Sequence, residues 1–406
     1  MKTDMIITGG RVVDPAQGID GIRDVAVSNG CIEKIGKQLP ADTGEIIDAK
    51  GMLVTPGLID LHAHVAPDVI PLSVDPDEAG ITTGVTTVND AGSCGWLNFH
   101  MFRKYIWPRA KTRVYSFVHM APFGEAILPE IGYEVLQEDK IIDIIESNRD
   151  VIRGIKIRAV GELIHANQAS VPEKAKKIAD RAGVPLMVHL GMDRNETLSK
   201  RTIDDFIASL LGLLEKGDIL THAFTDNPGG VFLPGGIPVP GLEDALSRGV
   251  LLDAAPGKGH FSFKVAGKAI QGGILPHALG TDVVKLDTAQ PHFYNVAAIM
   301  SKFVALGVSL ESTIAMATSN SAKMLSAESE CGNLKVGSPA DITIIEMKKG
   351  DFLFQDGRAG NQVPGELFLI PRLVIKDGEK SEISNHIVGH LPGPSPQNHE
   401  IVYFEK

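Results

Sequence analysis

Side chains able to bind metal recur along this chain at nearly even intervals, each where an apolar run ends. The pair His62 and His64 closes the run Leu58-Ile59-Asp60-Leu61, and Lys156, His189, His222 and Asp282 follow. The successive gaps from His64 are 92, 33, 33 and 60 residues. In units of roughly 30 residues, the length of one βα unit, these are three, one, one and two steps. The spacing predicts ligands from strands one, four, five, six and eight of an α/β fold, a (β/α)8 TIM barrel. All would lie at the carboxyl ends of the strands, where such barrels keep their chemistry. The function is therefore expected at a metal centre.

A chain of 406 residues exceeds a usual single core, so one large domain with a smaller companion is expected. Hydrophobic content of 43% and charged content of 22% fit a soluble globular protein. With a net charge of −11 and no basic run, neither nucleic acid nor an anionic membrane surface is an expected partner. A small anionic substrate stays open, because local charge in a pocket can oppose the net sign. So does a homo-oligomer. Cys31, Cys94 and Cys331 are far apart with no CxxC pair, which argues against a disulfide framework and fits a reducing compartment. The first residues lack the apolar core of a signal peptide, and no run of 18 apolar residues occurs. A cytoplasmic location is expected.

Residues 1–53 read as short strands joined by tight turns: Met5 to Thr8 ends at Gly9-Gly10, and Asn29-Gly30 is a hairpin signal. These strands are too few to close a core. Partners are available in residues 331–406, at Asp341–Glu346 and Arg372–Lys376. A small β-sandwich built from both chain termini is expected, with a barrel over residues 54–330 inserted between and a surface tail from Leu391. The clearest barrel unit starts at Ser170, where Ser170 and Glu173 form a capping box. Ala175, Ile178, Ala179 and Ala182 follow at helical spacing, Gly183 supplies the stop, and Leu186-Met187-Val188 delivers His189. Strands two, three and seven would end near Asn89-Asp90, His119 and Asp253.

His62 and His64 share one face of a strand, because the side-chain period there is two, and so can chelate one metal. Such a pair alone is also an ordinary polar core element. Lys156 should point inward, since Ile155 and Ile157 face outward. An ammonium beside metal would be repelled, whereas the carbamate formed by a neutral amine with carbon dioxide offers two oxygens, one for each of two metals. A lone lysine is usually a solvated strand end; the regular spacing favours the carbamate. Asp282 can ligate and shuttle protons, although a helix N-cap would also use it. Arg158 is placed to bind a substrate carboxylate bidentately, or else to pair with a surface acid. His260, in the glycine-rich stretch Pro256–Phe263, could cover a substrate or sit in a mere connector. Asn89, Cys94, His119 and His292 are further lining candidates that equally fit structural roles.

This constellation, with its split terminal β-region, resembles the amidohydrolase superfamily of the carboxylated-lysine, binuclear type. The runs Ala317–Lys323 and Gly332–Asp341 are similar to the segment by which that family leaves its barrel. The resemblance implies two Zn2+ ions, one on His62, His64, Lys156 and Asp282 and one on Lys156, His189 and His222. It implies carbon dioxide as the source of the Lys156 carboxylate. Attack by a metal-bridging hydroxide on an amide or ester would follow, with Asp282 as general base and then general acid. Val65-Ala66-Pro67-Asp68 follows the histidine pair where dihydroorotases carry an arginine. The whole pattern, including Asn89-Asp90-Ala91-Gly92-Ser93 and the glycine-rich Pro256–Phe263, looks more like a deacetylase branch acting on N-acetyl amino acids or O-acetyl 2-hydroxy acids. The alternatives are a cyclic amide hydrolase, dihydroorotase- or hydantoinase-like, and, last, a non-enzymatic scaffold.

Overall fold

The computed structural model describes residues 3–40, 44–127, 136–165, 170–192, 198–257, 259–285, 295–356 and 361–383. The expected surface tail from Leu391 lies outside them.

The chain opens with β1 (Met5–Asp14), β2 (Ile19–Ser28), β3 (Cys31–Gly36), β4 (Glu45–Asp48) and β5 (Leu53–Pro56). The Gly9-Gly10 pair, read from sequence as a strand end, is instead a bulge inside β1. Gly9 has a φ of 71°, and its N–H donates to the Asp24 carboxylate at 3.0 Å. The bulge bends β1, so that its first half pairs with β4 and its second with β5. The Asn-Gly hairpin is present between β2 and β3. Asn29 and Gly30 have φ of 50° and 74°, the left-handed pair that a type I′ turn requires.

Six parallel strands follow: β6 (Leu58–Ala63), β7 (Val85–Asp90), β8 (Arg113–His119), β9 (Ile152–Arg158), β10 (Leu186–His189) and β11 (Ile219–Thr221). A short hairpin, β12 (Phe232–Leu233) and β13 (Ile237–Pro238), precedes the parallel β14 (Leu251–Leu252). The chain returns to the first sheet through β15 (Ile342–Gln355), β16 (Gln362–Lys376) and β17 (Glu379–Ser381).

The terminal strands form one mixed sheet in the order β17-β16-β15-β5-β1-β2-β3, with β4 also on β1. Strands from both chain termini share this sheet. Because β4 and β5 take successive halves of one edge of β1, the strands from the two termini join edge to edge. Met5, Ile7, Val25, Ile32, Ile342 and Ile375 are buried in a core of their own beneath that sheet. β5 extends it to Pro56, and only Gly57 separates β5 from β6. A buried ion pair, Arg113 to Asp341, ties the start of β8 to the residue before β15.

The parallel sheet has the order β14-β11-β10-β9-β8-β7-β6. The expected eighth strand, at residues 277–283, is irregular rather than extended. It nonetheless bonds to both sheet edges: Asp253 bridges to Ala278 and Ala63 bridges to Val283. The N–H of His277 donates to Leu252 at 2.8 Å, and that of His64 donates to Val283 at 3.1 Å. The helix Ser170–Ala182 buries Val171, Ala175, Ile178, Ala179 and Ala182 and stops at Gly183, whose φ is 63°. It returns the chain to β10, as its apolar stripe demands. Among the described residues, no helix is long and apolar enough to cross a membrane.

Candidate metal centre

The carboxyl ends of the parallel strands bring the spaced residues together. His62 lies in β6 and His64 just beyond it, their ring centroids 5.6 Å apart. His222 stands 4.8 Å from His62 and 4.2 Å from His189, centroid to centroid. Asp282 Oδ1 is 3.5 Å from His62 Nε2 and 3.4 Å from His64 Nε2. One ligand atom from each of His62, His222 and Asp282 falls within a 4.8 Å span. His222 and Asp282 have φ of 59° and 58°, a left-handed conformation that costs energy in a non-glycine residue and concentrates at functional sites.

Lys156 is fully buried in β9, in register with His119 of β8 and Met187 of β10. Its Nζ donates to the Ala91 carbonyl at 2.8 Å. Gly92 makes room for it: a Cβ there would lie 2.6 Å from Lys156 Cγ, and the φ of Gly92 is +97°. Gly257 does the same for Asp282, with 2.2 Å from a hypothetical Cβ to Asp282 Oδ2.

The residues fit a cation. The Nε2 atoms of His62, His189 and His222 are buried with no hydrogen-bond partner, a costly condition that a metal would relieve. Burial, followed by neighbouring positive charge, pushes the pKa of these three imidazoles well below the ordinary value, which leaves their lone pairs free to coordinate. Burial opposes charge on His64 too, but Glu125 and Asp282 outweigh it and raise its pKa. Burial alone would raise Asp282; the His64, His222 and His260 imidazoles instead hold it down to about 2. Burial lowers the pKa of Lys156 despite Glu125 and Asp282, which favours the neutral amine.

The other candidates divide. Arg158, half-buried at the end of β9, is in register with His189. His260 packs its ring 4.8 Å from His189 and 4.5 Å from His222, at the heart of the cluster. Asn89 is buried in β7 and donates to the Leu61 carbonyl at 3.0 Å, so its side chain braces adjacent strands. Cys94 is buried in the hydrophobic core cluster, its thiol pKa pushed well up by burial. His119 accepts the Ala121 N–H at 3.0 Å through Nδ1, bracing its own turn. His292 lies outside the described residues.

Sequence reasoning missed several groups. Glu125, in the loop after β8, places a carboxylate oxygen 3.8 Å from His64 Nε2. Thr221, Asp253 and Ser93 stand behind the histidines (His62 Nδ1 to Thr221 Oγ1 is 2.7 Å; His64 Nδ1 to Ser93 Oγ is 2.9 Å). Thr221 and Asp253 fall at predicted strand ends, which was a usable signal; Glu125 sits in a loop without periodicity, and nothing marked it.

The Amidohydrolase family profile matches residues 252–380. A deacetylase from Brucella anthropi is 33% identical over 376 residues, covering 91% of this chain and 90% of that protein. Among solved structures, a dihydroorotase superposes with a TM-score of 0.79 at 28% identity, over 94% of this chain and 99% of its own. An adenine deaminase superposes with a TM-score of 0.83 at 26% identity, over 94% and 100%.

Proposed function

The chain belongs to the dihydroorotase-like branch of the amidohydrolase superfamily and is a hydrolytic enzyme, and from that premise we propose that it is a zinc deacetylase of N-acetyl amino acids or O-acetyl 2-hydroxy acids. The observation that carries the chemistry is the gathering of His62, His222 and Asp282 within one 4.8 Å span, with the buried Nε2 atoms of His62, His189 and His222 left without a hydrogen-bond partner. What supports the substrate class is the deacetylase from Brucella anthropi, similar over nine-tenths of both chains, together with Arg158 beside the cluster. The reading includes a closed (β/α)8 barrel, supported by the bonds from residues 277–283 to both edges of the parallel sheet.

In this reading His62, His64, Asp282 and a carboxylated Lys156 would hold one zinc ion, and His189, His222 and Lys156 would hold a second. When bound, the two ions would supply Lewis acidity and a water acidic enough to attack near neutral pH. The chain's own groups do the rest. Arg158 binds the substrate carboxylate and orients the acyl group. Asp282, already ionised, accepts the proton of the attacking water. It returns that proton to the leaving nitrogen or oxygen as the acyl bond breaks, so acetate and the amino or hydroxy acid depart. Val65, which follows His64, is buried with its N–H on Asp90. No arginine stands there to grip a cyclic substrate.

A cyclic amide is the second reading, favoured by the superposition on a dihydroorotase. A turnover screen on zinc- and bicarbonate-supplied protein separates the two. Acetate release from N-acetyl amino acids or O-acetyl hydroxy acids supports deacetylation. Turnover of hydantoins or dihydropyrimidines alone supports ring opening, and no turnover of any of them contradicts both.

A further inference from the structure

Each histidine of the first pair is backed by a hydroxyl. Thr221 Oγ1 gives its one proton to Asp253 Oδ2 at 2.8 Å. At its 2.7 Å contact with His62 Nδ1, it can therefore only accept. That fixes the proton on Nδ1 and the lone pair on Nε2, the atom buried without a partner. Asp253 cannot drift, because its other oxygen accepts the Gly280 N–H at 2.8 Å. A hydroxyl stands behind His64 as well. Its Nδ1 is 2.9 Å from Ser93 Oγ, and Ser93 is anchored to Asp90 through its own N–H. The Asp90 carboxylate is pinned by the N–H groups of Val65 and Ser93, each at 2.9 Å. Asp90 and Asp253 are both fully buried.

His222 differs. Its Nδ1 rests on the neutral carbonyl of Ala255 at 2.7 Å, and among the described residues no carboxylate hydrogen-bonds to that nitrogen. A carboxylate acting through a hydroxyl makes the far imidazole nitrogen more basic than a peptide carbonyl does, and such outer partners set metal affinity.

We propose that the relay Asp253–Thr221–His62, together with the Ser93 hydroxyl held behind His64 by Asp90, makes the position of this histidine pair the tighter of the two metal sites, so that the chain passes through a form with only that site filled. The inference rests on the binuclear reading above. Thr221, Ser93, Asp90 and Asp253 are positioning residues, acting through the histidines.

The test is competition for zinc between the full chain and a chelating indicator, which resolves two affinities. His189→Ala should abolish only the weaker one, identifying it. Thr221→Val should weaken the tighter one by about ten- to a hundredfold and leave the weaker one unchanged, and Thr221→Ser should restore it. Ser93→Ala, in a different element, should act like Thr221→Val and serves as the test in the event that Thr221→Val does not fold. A tight affinity unchanged in Thr221→Val and Ser93→Ala, or a loss confined to the weaker one, overturns the relay while leaving the metal reading intact. A wild-type chain that binds no zinc overturns the metal reading itself, and the relay proposal with it.

Discussion

The backbone N–H of Asp282 donates to the carbonyl of His62 at 2.6 Å, so main chain ties the last candidate ligand to the first. The left-handed φ of 58° at Asp282 is one that asparagine tolerates better than most residues. Asp282→Asn should therefore keep the fold while removing the proton acceptor. The expected result is a fall in kcat of about 10²–10⁴-fold with little change in KM or in melting temperature, measured by steady-state kinetics and thermal unfolding.

Gly92 is a steric requirement of the site. Gly92→Ala would place a Cβ 2.6 Å from Lys156 Cγ, at a φ of +97°. Displacing a fully buried side chain by such crowding costs about 1–3 kcal/mol. Denaturant unfolding should show that loss, and metal analysis should show reduced zinc in the folded protein. A variant with wild-type zinc content would contradict this account of the glycine.

The positive charge of Arg158 helps hold the Glu125 carboxylate ionised, so the two carry opposite charges in one site. Arg158→Leu should raise KM for an N-acetyl amino acid and leave KM for its uncharged amide little altered. Glu125→Gln removes a negative charge from the same mouth and should lower KM for the anionic substrate only. Equal shifts for both substrates in either variant would show that the charges do not select.

Asp341 joins the two sheets. It pairs with Arg113 from β8, and Lys376 Nζ lies 3.3 Å away. Asp341→Asn would leave Arg113 and Lys376, among the described residues, only the exposed Asp377 carboxylate as ion-pair partner, a change that costs about 1–3 kcal/mol. The melting temperature should drop, while kcat at low temperature stays near the wild-type value.

Much of this architecture was legible in the sequence because strand tips must recur at βα intervals. His62, Lys156, His189, His222 and Asp282 converge as their spacing predicts, and the helix from Ser170 to Gly183 follows from its cap, stripe and stop. The terminal sheet was less legible. Whether β4 and β5 face β1 or extend it depends on the bulge at Gly9-Gly10, and two glycines announce a break without saying whether the strand resumes. The eighth position is irregular because Gly280 and Thr281 answer to His62 and Asp60, partners remote in sequence. Asn89 and Cys94 sit at predicted strand ends and are buried, a depth that spacing alone does not reveal. Glu125 enters from a loop whose course is set by its packing on Ser93.

The most direct test counts zinc per chain in the wild type and in Lys156→Ala, both prepared with bicarbonate and assayed for deacetylation. The account predicts two ions in the wild type and a joint loss of metal and turnover in the variant. Undiminished zinc or full activity without the Lys156 amine would contradict it.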